Sequence, residues 1–192
     1  PSLASADLSC LRACFCGADT LPRPVKDRFE ALVASGGGNA RLLEDFLDRI
    51  RAYHERRDYP AVKGPSYLSV HLRFGTASIR TLAAAAHELS LRPGGAGAAK
   101  WLDELIWREF YIQILYHFPH VAKTSFNPAL ANIPWRNNTS EFEAWKAGET
   151  GVPVVDAGMR QLKSTGWMHN RARMIVASYL VKDLLIDWRW GE

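Results

Sequence analysis

One segment in the middle of the chain carries charged and aromatic side chains at helical spacing. Trp101, Glu104, Arg108 and Tyr111 follow one another at intervals of three, four and three residues, with Trp107 beside them. In a helix, side chains at this spacing share one face. One interpretation is a Glu–Arg ion pair inside a core, because a lone buried charge is costly. The other is a pocket wall that offers a flat ring, a carboxyl group and a fixed positive charge.

A second segment, residues 167–174, has the sequence WMHNRARM. Asn170 and Met174 are four residues apart and would share a helical face, with Arg171 adjacent. Arginines in the first turn of a helix oppose the helix dipole. A local rule broken in this way is typical of a residue that is functional or is satisfied from outside its helix. A solvated basic turn and a site for an anionic partner both remain open.

A third segment, residues 64–75, has the sequence GPSYLSVHLRFG. Ser66 and Ser69 lie three residues apart where a loop enters a predicted helix. Hydroxyls and backbone N–H groups at such a junction can hold a phosphate. Taken alone this signal is weak, because serine is common at helix caps and turns.

Composition narrows the class of protein. The 192 residues include 24 Lys or Arg and 20 Asp or Glu, and 47% of them are hydrophobic. These values are typical of a globular chain and exclude a disordered, collagenous or coiled-coil protein. Neither a membrane span nor a signal peptide is recognisable, so we predict a cytoplasmic protein, in the bacterial cytosol. Cys10, Cys14 and Cys16 are odd in number, which indicates a reducing compartment, and we assign them neither a disulfide nor a metal.

The elements that position these segments are all predicted to be helices. Apolar spacing, caps and breakers predict helices over about 39–53, 78–89, 98–118, 140–148, 153–166 and 169–186. The third is apolar on nearly every face, so we expect burial on most of its sides. We expect Asn39 to cap the first, and Ser140 and Glu143 to form a capping box for the fourth. Since no alternating strand pattern follows residue 39, the predicted fold class is all-α.

The predicted organisation is one helical domain over residues 39–192, preceded by a linker or the remnant of a missing domain over residues 1–38. Pro22, Pro24 and three glycines at 36–38 mark this leading segment. The chain starts with Pro1 and ends in a Trp-rich stretch without a clear stop. We therefore expect it to be truncated at both ends.

Five segments together resemble the flavin-binding helical domain of the DNA photolyase and cryptochrome family. They are Tyr53-x-x-x-Arg57-Asp58, residues 65–75 (PSYLSVHLRFG), 101–111 (W-x-x-ELIWREFY), 165–174 (TGWMHNR-x-RM) and 180–189 (LVKDLLIDWR). They occur in the family's order. Within the family, they are most similar to class I cyclobutane pyrimidine dimer photolyases. The family usually has Thr at the position of Pro65, so the phosphate loop lacks one hydroxyl and one N–H donor here.

The resemblance implies roles for particular residues. Those at positions where the family contacts FAD are Tyr53, Ser66, Tyr67, Leu68, Ser69, Trp101 and Asn170. Those at positions that receive the damaged bases or the DNA backbone are Arg57, Glu104, Trp107, Arg108, Tyr111, Asn170, Arg171 and Met174. Trp135 and Trp188 match the outer and middle members of the chain of tryptophans that passes electrons to the flavin. Glu104 is also implied in catalysis, as a hydrogen-bond donor to the substrate. No metal is implied.

The activity implied is light-dependent repair of cyclobutane pyrimidine dimers in DNA by electron transfer from reduced FAD, a deoxyribodipyrimidine photolyase reaction. The dimer would be extruded from the duplex, the full-length protein would be a monomer, and a folate or flavin antenna pigment would belong to the missing N-terminal domain. Two alternatives are a cryptochrome photoreceptor without repair activity and an inactive fragment. Trp107, Asn170 and Met174 favour repair, because the (6-4) and animal signalling branches typically place histidines in the Asn170 segment. The isolated 192 residues are expected to bind FAD poorly and to be inactive.

Overall fold

The computed structural model describes residues 38–192, and side chains from residue 41 onward. Every regular element in this range is a helix, so the all-α prediction is confirmed. The cysteines and nearly all of the predicted linker lie outside the described residues. None of the described helices is both long and apolar enough to cross a membrane. The described residues form two compact units: the first contains 38–112 and 169–171, the second 113–168 and 172–192.

The described range contains eight α-helices and several short turns of other helix types. The α-helices are α1 (Gly38–Arg49), α2 (Tyr53–Arg56), α3 (Ser69–Arg73), α4 (Ile79–Ser90), α5 (Ala96–His117), α6 (Thr139–Ala147), α7 (Pro153–Thr165) and α8 (Asn170–Ser178).

 A 3-10 turn, Ile50–Ala52, joins α1 to α2, which has four residues.

The first unit is built on the apolar stripe of α1, as the sequence predicts. Phe46 is completely buried, and its ring meets the Trp101 ring edge-on with centroids 4.7 Å apart. Tyr53 also packs edge-on against Phe46, at 5.6 Å. Aromatic pairs prefer this edge-to-face arrangement. The stripe does not form one continuous helix, because the 3-10 turn interrupts it, and α1 begins at Gly38, so Asn39 lies within the helix rather than at its cap.

Helix α5 differs from its prediction. The apolar pattern predicts burial on most sides, but this is wrong for the described residues. Trp101, Leu105 and Leu115 are buried, whereas the large apolar residues of the other faces are exposed: Ile106, Trp107, Phe110, Tyr111 and Tyr116. Hydrophobic periodicity reports which side chains prefer to leave water, and it does not report whether a neighbour is present to cover them.

The second unit has its own core between α6, α7 and α8. Its buried members include Trp145, Val155, Val176 and Ile186. The Trp145 indole donates a hydrogen bond to the Val176 carbonyl oxygen, at 3.2 Å. A buried indole N–H needs such a partner, because an unmade hydrogen bond is costly in a core. This bond therefore ties α6 to α8 within the unit.

The ends of α6 and α7 test the predicted caps. The capping box of Ser140 and Glu143 is wrong: Asn138 is the cap, and its Oδ1 accepts hydrogen bonds from the backbone N–H of Ser140 and of Glu141, at 3.0 and 3.2 Å. Asparagine is at least as good a cap as serine, and here it comes two residues earlier in the chain. The predicted ends at Gly148 and Gly166 are confirmed, with left-handed φ values of 71° and 69°.

The last predicted helix is shorter than expected. Instead of continuing to residue 186, α8 ends at Ser178 and is followed by a π-helical turn over Tyr179–Asp183. Leu185 then adopts a left-handed φ of 50°. Its carbonyl oxygen accepts a hydrogen bond from the Arg136 backbone N–H at 2.7 Å. After the π-helical turn the backbone thus bonds to a distant segment at Arg136, which a local apolar pattern does not reveal.

Candidate functional site

The loop before α3 presents hydroxyl groups and backbone donors together. Leu68 is completely buried and anchors the loop in the first core, while Ser69 begins α3 with its side chain exposed. Ser66 is half-buried, and its Oγ accepts a hydrogen bond from the Leu68 N–H at 3.4 Å. Tyr67 between them has a left-handed φ of 58°, which is uncommon for a residue with a side chain. Such backbone strain is often found at ligand sites.

Arg49 of α1 holds the beginning of this loop by hydrogen bonds. Its Nη1 donates hydrogen bonds to the carbonyl oxygens of Lys63 and Gly64, at 2.7 and 3.0 Å. Asp45 in turn pairs with Arg49 at 3.2 Å and with Lys63 at 2.7 Å. Gly64 packs directly on backbone, since a Cβ there would lie 2.5 Å from the Arg56 carbonyl oxygen. The position of the loop is therefore fixed at Gly64.

Glu104 forms an ion pair that the sequence does not reveal. Its partner is Arg57, 47 residues earlier in the chain, whose Nη1 donates to Glu104 Oε1. Lys100 Nζ lies 3.6 Å from the same oxygen. Arg108, the partner expected from helical spacing, instead donates to the Leu72 carbonyl oxygen at 3.3 Å. The carboxyl group is thus held by two cations on one side of α5.

Tyr53 lies beneath the Arg57 guanidinium. The Arg57 carbon Cζ is 5.5 Å from the centre of the Tyr53 ring, a cation–π contact. Only 8% of Tyr53 is exposed, and burial raises the pKa of its hydroxyl to about 12. Tyr53 therefore stays neutral at any physiological pH, and its ring serves as a flat apolar support.

Asp58 connects the Arg57–Glu104 ion pair to the beginning of α8. Its Oδ1 is 3.0 Å from Arg171 Nε and 3.4 Å from Arg57 Nε. The hydrogen bond from Arg171 holds the pKa of the Asp58 carboxyl below its ordinary value. Arg171, in the first turn of α8, is therefore paired with a residue outside its helix. Of the two interpretations of this segment, a solvated basic turn does not describe Arg171, and a site for an anionic partner stays a prediction. Asn170, one residue earlier, is exposed.

Trp107 lies on an exposed aromatic face of α5. Half of its surface is accessible, its ring is stacked on that of Tyr111 with centroids 6.0 Å apart, and Phe110 meets it edge-on at 5.4 Å. Trp101, in contrast, is only 3% exposed and belongs to the core. The helix therefore presents one tryptophan to the core and one to solvent, where a flat partner can stack on it.

The second unit contains the remaining candidate residues. Trp135 and Trp188 are both half-buried and line one crevice of about 40 Å³, together with Arg189. Asn137 braces the same segments, because its Oδ1 accepts a hydrogen bond from the Asp187 N–H at 2.8 Å. Met174 lies one helical turn after Asn170 and is 54% exposed.

Sequence reasoning missed Arg49, Asp58 and Asn137. Asp58 belongs to a recognised motif, but its contact with Arg171 spans 113 residues of chain, so no local spacing indicates it. Asn137 has one detectable signal: asparagine tolerates the left-handed backbone, and its φ is 48°. Arg49 resembles any basic residue at the end of a helix.

Comparison with known proteins matches this arrangement to one family. The family model described as the FAD binding domain of DNA photolyase matches residues 101–192. The chain is 47% identical over 174 residues to a deoxyribodipyrimidine photo-lyase of Neurospora crassa, and 50% identical over 176 residues to that of Escherichia coli. The chain belongs to the DNA photolyase and cryptochrome family. These matches cover 87% and 89% of the chain, but 28% and 37% of the two relatives, so it spans about a third of their length.

Solved structures of the photolyase and cryptochrome family have the same fold. A class III photolyase from Agrobacterium tumefaciens is 43% identical with a TM-score of 0.78, and a cryptochrome from Synechocystis is 33% identical with a TM-score of 0.74. Each match covers 81% of this chain and 33% of the other. An archaeal photolyase from Sulfolobus tokodaii, solved with two FAD molecules, is 42% identical with a TM-score of 0.67.

Proposed function

We propose that the protein containing this chain binds FAD in its helical domain and repairs cyclobutane pyrimidine dimers in DNA under blue light. The observation that carries the proposal is the surface of α5. Glu104, held by two cations, and the exposed ring of Trp107 lie three residues apart on this helix. A flat ring beside an oriented carboxyl suits a flat, hydrogen-bonding base. Relatives that are 50% identical to this chain in sequence are named deoxyribodipyrimidine photo-lyases, which supports the same substrate class.

The loop before α3 fits the phosphate part of FAD. Ser66 and Ser69 supply hydroxyl donors, and the first turn of α3 supplies backbone N–H groups that lack partners within the helix. We propose that Tyr67 and Leu68 shape this loop. Tyr53, Trp101 and Asn170 complete the proposed FAD contacts. When bound, FAD supplies light-driven one-electron chemistry, and the protein supplies binding and orientation.

The proposed role of the residues around Glu104 is to receive the damaged bases. A pyrimidine dimer stacks poorly, so extruding it from a duplex costs less than extruding a sound base. Trp107 would stack on it, with Tyr111 behind, and Glu104 would hydrogen-bond to its polar edge. Asn170 offers both a donor and an acceptor, and Met174 an adaptable apolar contact.

The remaining proposed roles concern charge and electrons. Arg57, Arg108 and Arg171 would provide positive charge toward the DNA, which makes binding depend on salt. Arg57 is only 14% exposed in its side chain, so we assign it mainly to holding Glu104. Trp135 and Trp188, which share one crevice, are the proposed outer and middle members of an electron-transfer chain.

Three further proposals concern the whole protein. We propose that it acts as a monomer, in the cytosol, and that an antenna pigment of folate or flavin type is held outside these 192 residues. The Sulfolobus tokodaii photolyase, solved with two FAD molecules that imply a light-harvesting cofactor, supports a second pigment in this family.

The proposed function predicts light-dependent repair. The full-length protein, loaded with FAD and reduced, should remove the dimer from a thymine-dimer oligonucleotide under blue light and leave it intact in darkness. Chromatographic measurement of intact dimer checks this. If illuminated, flavin-loaded protein removes no dimer, the assignment moves to a cryptochrome photoreceptor, the alternative that the Synechocystis neighbour supports.

A second prediction concerns the phosphate loop. Gly64→Ala should weaken FAD binding about tenfold, because the new Cβ would lie 2.5 Å from a backbone oxygen and must displace the loop, and such overpacking costs about 1–3 kcal/mol. Titration with FAD, followed by flavin fluorescence, measures the effect. Gly158→Ala in α7 is the control, since a Cβ there first meets a side-chain carbon outside the loop, Val176 Cγ2, at 3.1 Å. Equal FAD affinity in Gly64→Ala and wild type would show that the loop does not hold the phosphates.

A further inference from the structure

The carboxylate of Asp58 lies between two guanidinium groups that come from distant parts of the chain. Its Oδ1 is 3.0 Å from Arg171 Nε and 3.4 Å from Arg57 Nε. Neither side chain is deeply enclosed at the contact, because Asp58 is 45% and Arg171 42% exposed. Exposed ion pairs contribute little to stability, about 0–1 kcal/mol. Stability alone is therefore a poor explanation for this contact.

The contact belongs to a line of alternating charges within the first unit. Lys100 and Arg57 both approach Glu104, and Arg57 and Arg171 both approach Asp58. In order, the charges are positive, negative, positive, negative and positive. The Asp58 carboxylate is in contact with both Arg57 and Arg171. Without its charge, the repulsion between the two guanidiniums would no longer be offset at this point.

The two ends of this line carry different parts of the proposed site. Glu104 is three residues from Trp107 on α5, and Arg171 is adjacent to Asn170 at the beginning of α8. Arg57 contacts both carboxylates, and its side chain, 14% exposed and lying over the Tyr53 ring, has little room to absorb a shift at one of them without passing it to the other. A change at Asp58 should therefore move Arg171 directly, and Glu104 through Arg57.

We infer that Asp58 is a positioning residue for the recognition of damaged DNA. It holds Arg171 and, through Arg57, the Glu104 carboxyl in the positions that the extruded dimer requires. The inference rests on the proposed function. Asp58 itself need not touch DNA. It also lowers the local positive charge, which limits binding to phosphates of any sequence.

This role predicts opposite effects on two kinds of DNA. In Asp58→Asn the loss of a negative charge should strengthen binding to undamaged duplex about twofold and steepen its salt dependence by up to about 0.9 in log–log slope. The preference for dimer-containing DNA should fall about tenfold, because the Arg171 and Glu104 side chains are no longer held in position. A residue that only stabilised the fold would weaken binding to both DNAs.

The experiment measures binding in darkness with the full-length flavoprotein. Fluorescence anisotropy is recorded at several salt concentrations with two duplexes that differ only in one thymine dimer. Glu88→Gln is the matched control: it also removes one negative charge from an ion pair, that of Glu88 on α4 with Arg92, outside the line of charges. It should leave the preference for damaged DNA unchanged. Asp58→Glu keeps the charge but lengthens the side chain, so undamaged binding should match wild type while the preference falls.

Several results would overturn the inference. An unchanged preference in both Asp58 variants would do so, as would parallel losses on the two DNAs. If Asp58→Asn does not fold, Asp58→Glu decides, because its charge and therefore its undamaged binding are preserved. If the wild-type protein shows no preference for the dimer, the proposed function is overturned, and this inference with it. If the wild type shows a preference that survives in both Asp58 variants, the inference alone is overturned.

Discussion

Trp107→Ala is expected to remove most of the preference for dimer-containing DNA while leaving binding to undamaged duplex nearly unchanged. The indole is half exposed and supported from behind by the Tyr111 ring, so it is available for stacking in the folded protein. Stacking of a base on an aromatic side chain is worth about 1–3 kcal/mol, which corresponds to about 5- to 150-fold in affinity. Phosphate contacts, in contrast, act on every sequence alike.

Anisotropy titrations with damaged and undamaged duplexes measure this ratio. Tyr116→Ala is a suitable control, because Tyr116 is a 77% exposed aromatic residue of the same helix to which we assign no contact with the dimer. It should leave both affinities as in wild type. Equal losses on both duplexes for Trp107→Ala would mean that the ring supports the fold or a general DNA contact rather than the lesion.

The sequence predicts the helices better than it predicts their contacts. Ser78, Gly148 and Gly166 act as predicted because each signal is local: a cap bonds within its own first turn, and a left-handed glycine ends its own helix. The capping box at Ser140 fails for an equally local reason, since Asn138 competes for the same N–H groups. Where two residues in reach can make one bond, spacing alone does not decide between them.

The candidate site depends on contacts between distant segments. Helical spacing pairs Glu104 with Arg108, but the structure pairs it with Arg57. The misplaced positive charge of Arg171 is a correct sign of an outside partner, and only the fold identifies that partner as Asp58. Sequence therefore shows where a local rule is broken, and the packing of the first unit shows what compensates for it.

The packing of that unit also reverses an ordinary rule about glycine. Gly97 lies in α5, where alanine would normally favour the helix by about 1 kcal/mol. A Cβ at this position, however, would lie 2.0 Å from the Ile50 carbonyl oxygen and 2.6 Å from that of Arg51. Both atoms belong to the backbone of the 3-10 turn, so no side-chain rotation relieves the contact. The glycine lets α5 approach the segment that leads into Tyr53.

Gly97→Ala should therefore destabilise the protein by about 3 kcal/mol or more, since α5 must move away from that turn and overpacking of this kind costs about 1–3 kcal/mol or more. Thermal unfolding of the full-length protein, followed by far-ultraviolet circular dichroism, measures the change. Gly158→Ala in α7 is the matched control, because a Cβ there first meets a side-chain carbon, Val176 Cγ2, at 3.1 Å. A side chain can shift by the few tenths of an ångström required, so the midpoint should change little. A Gly97→Ala protein that unfolds at or above the wild-type temperature would show that α5 and the 3-10 turn separate easily. In that case the close approach of α5 to the chain before Tyr53 is not what positions the Tyr53 ring beneath Arg57.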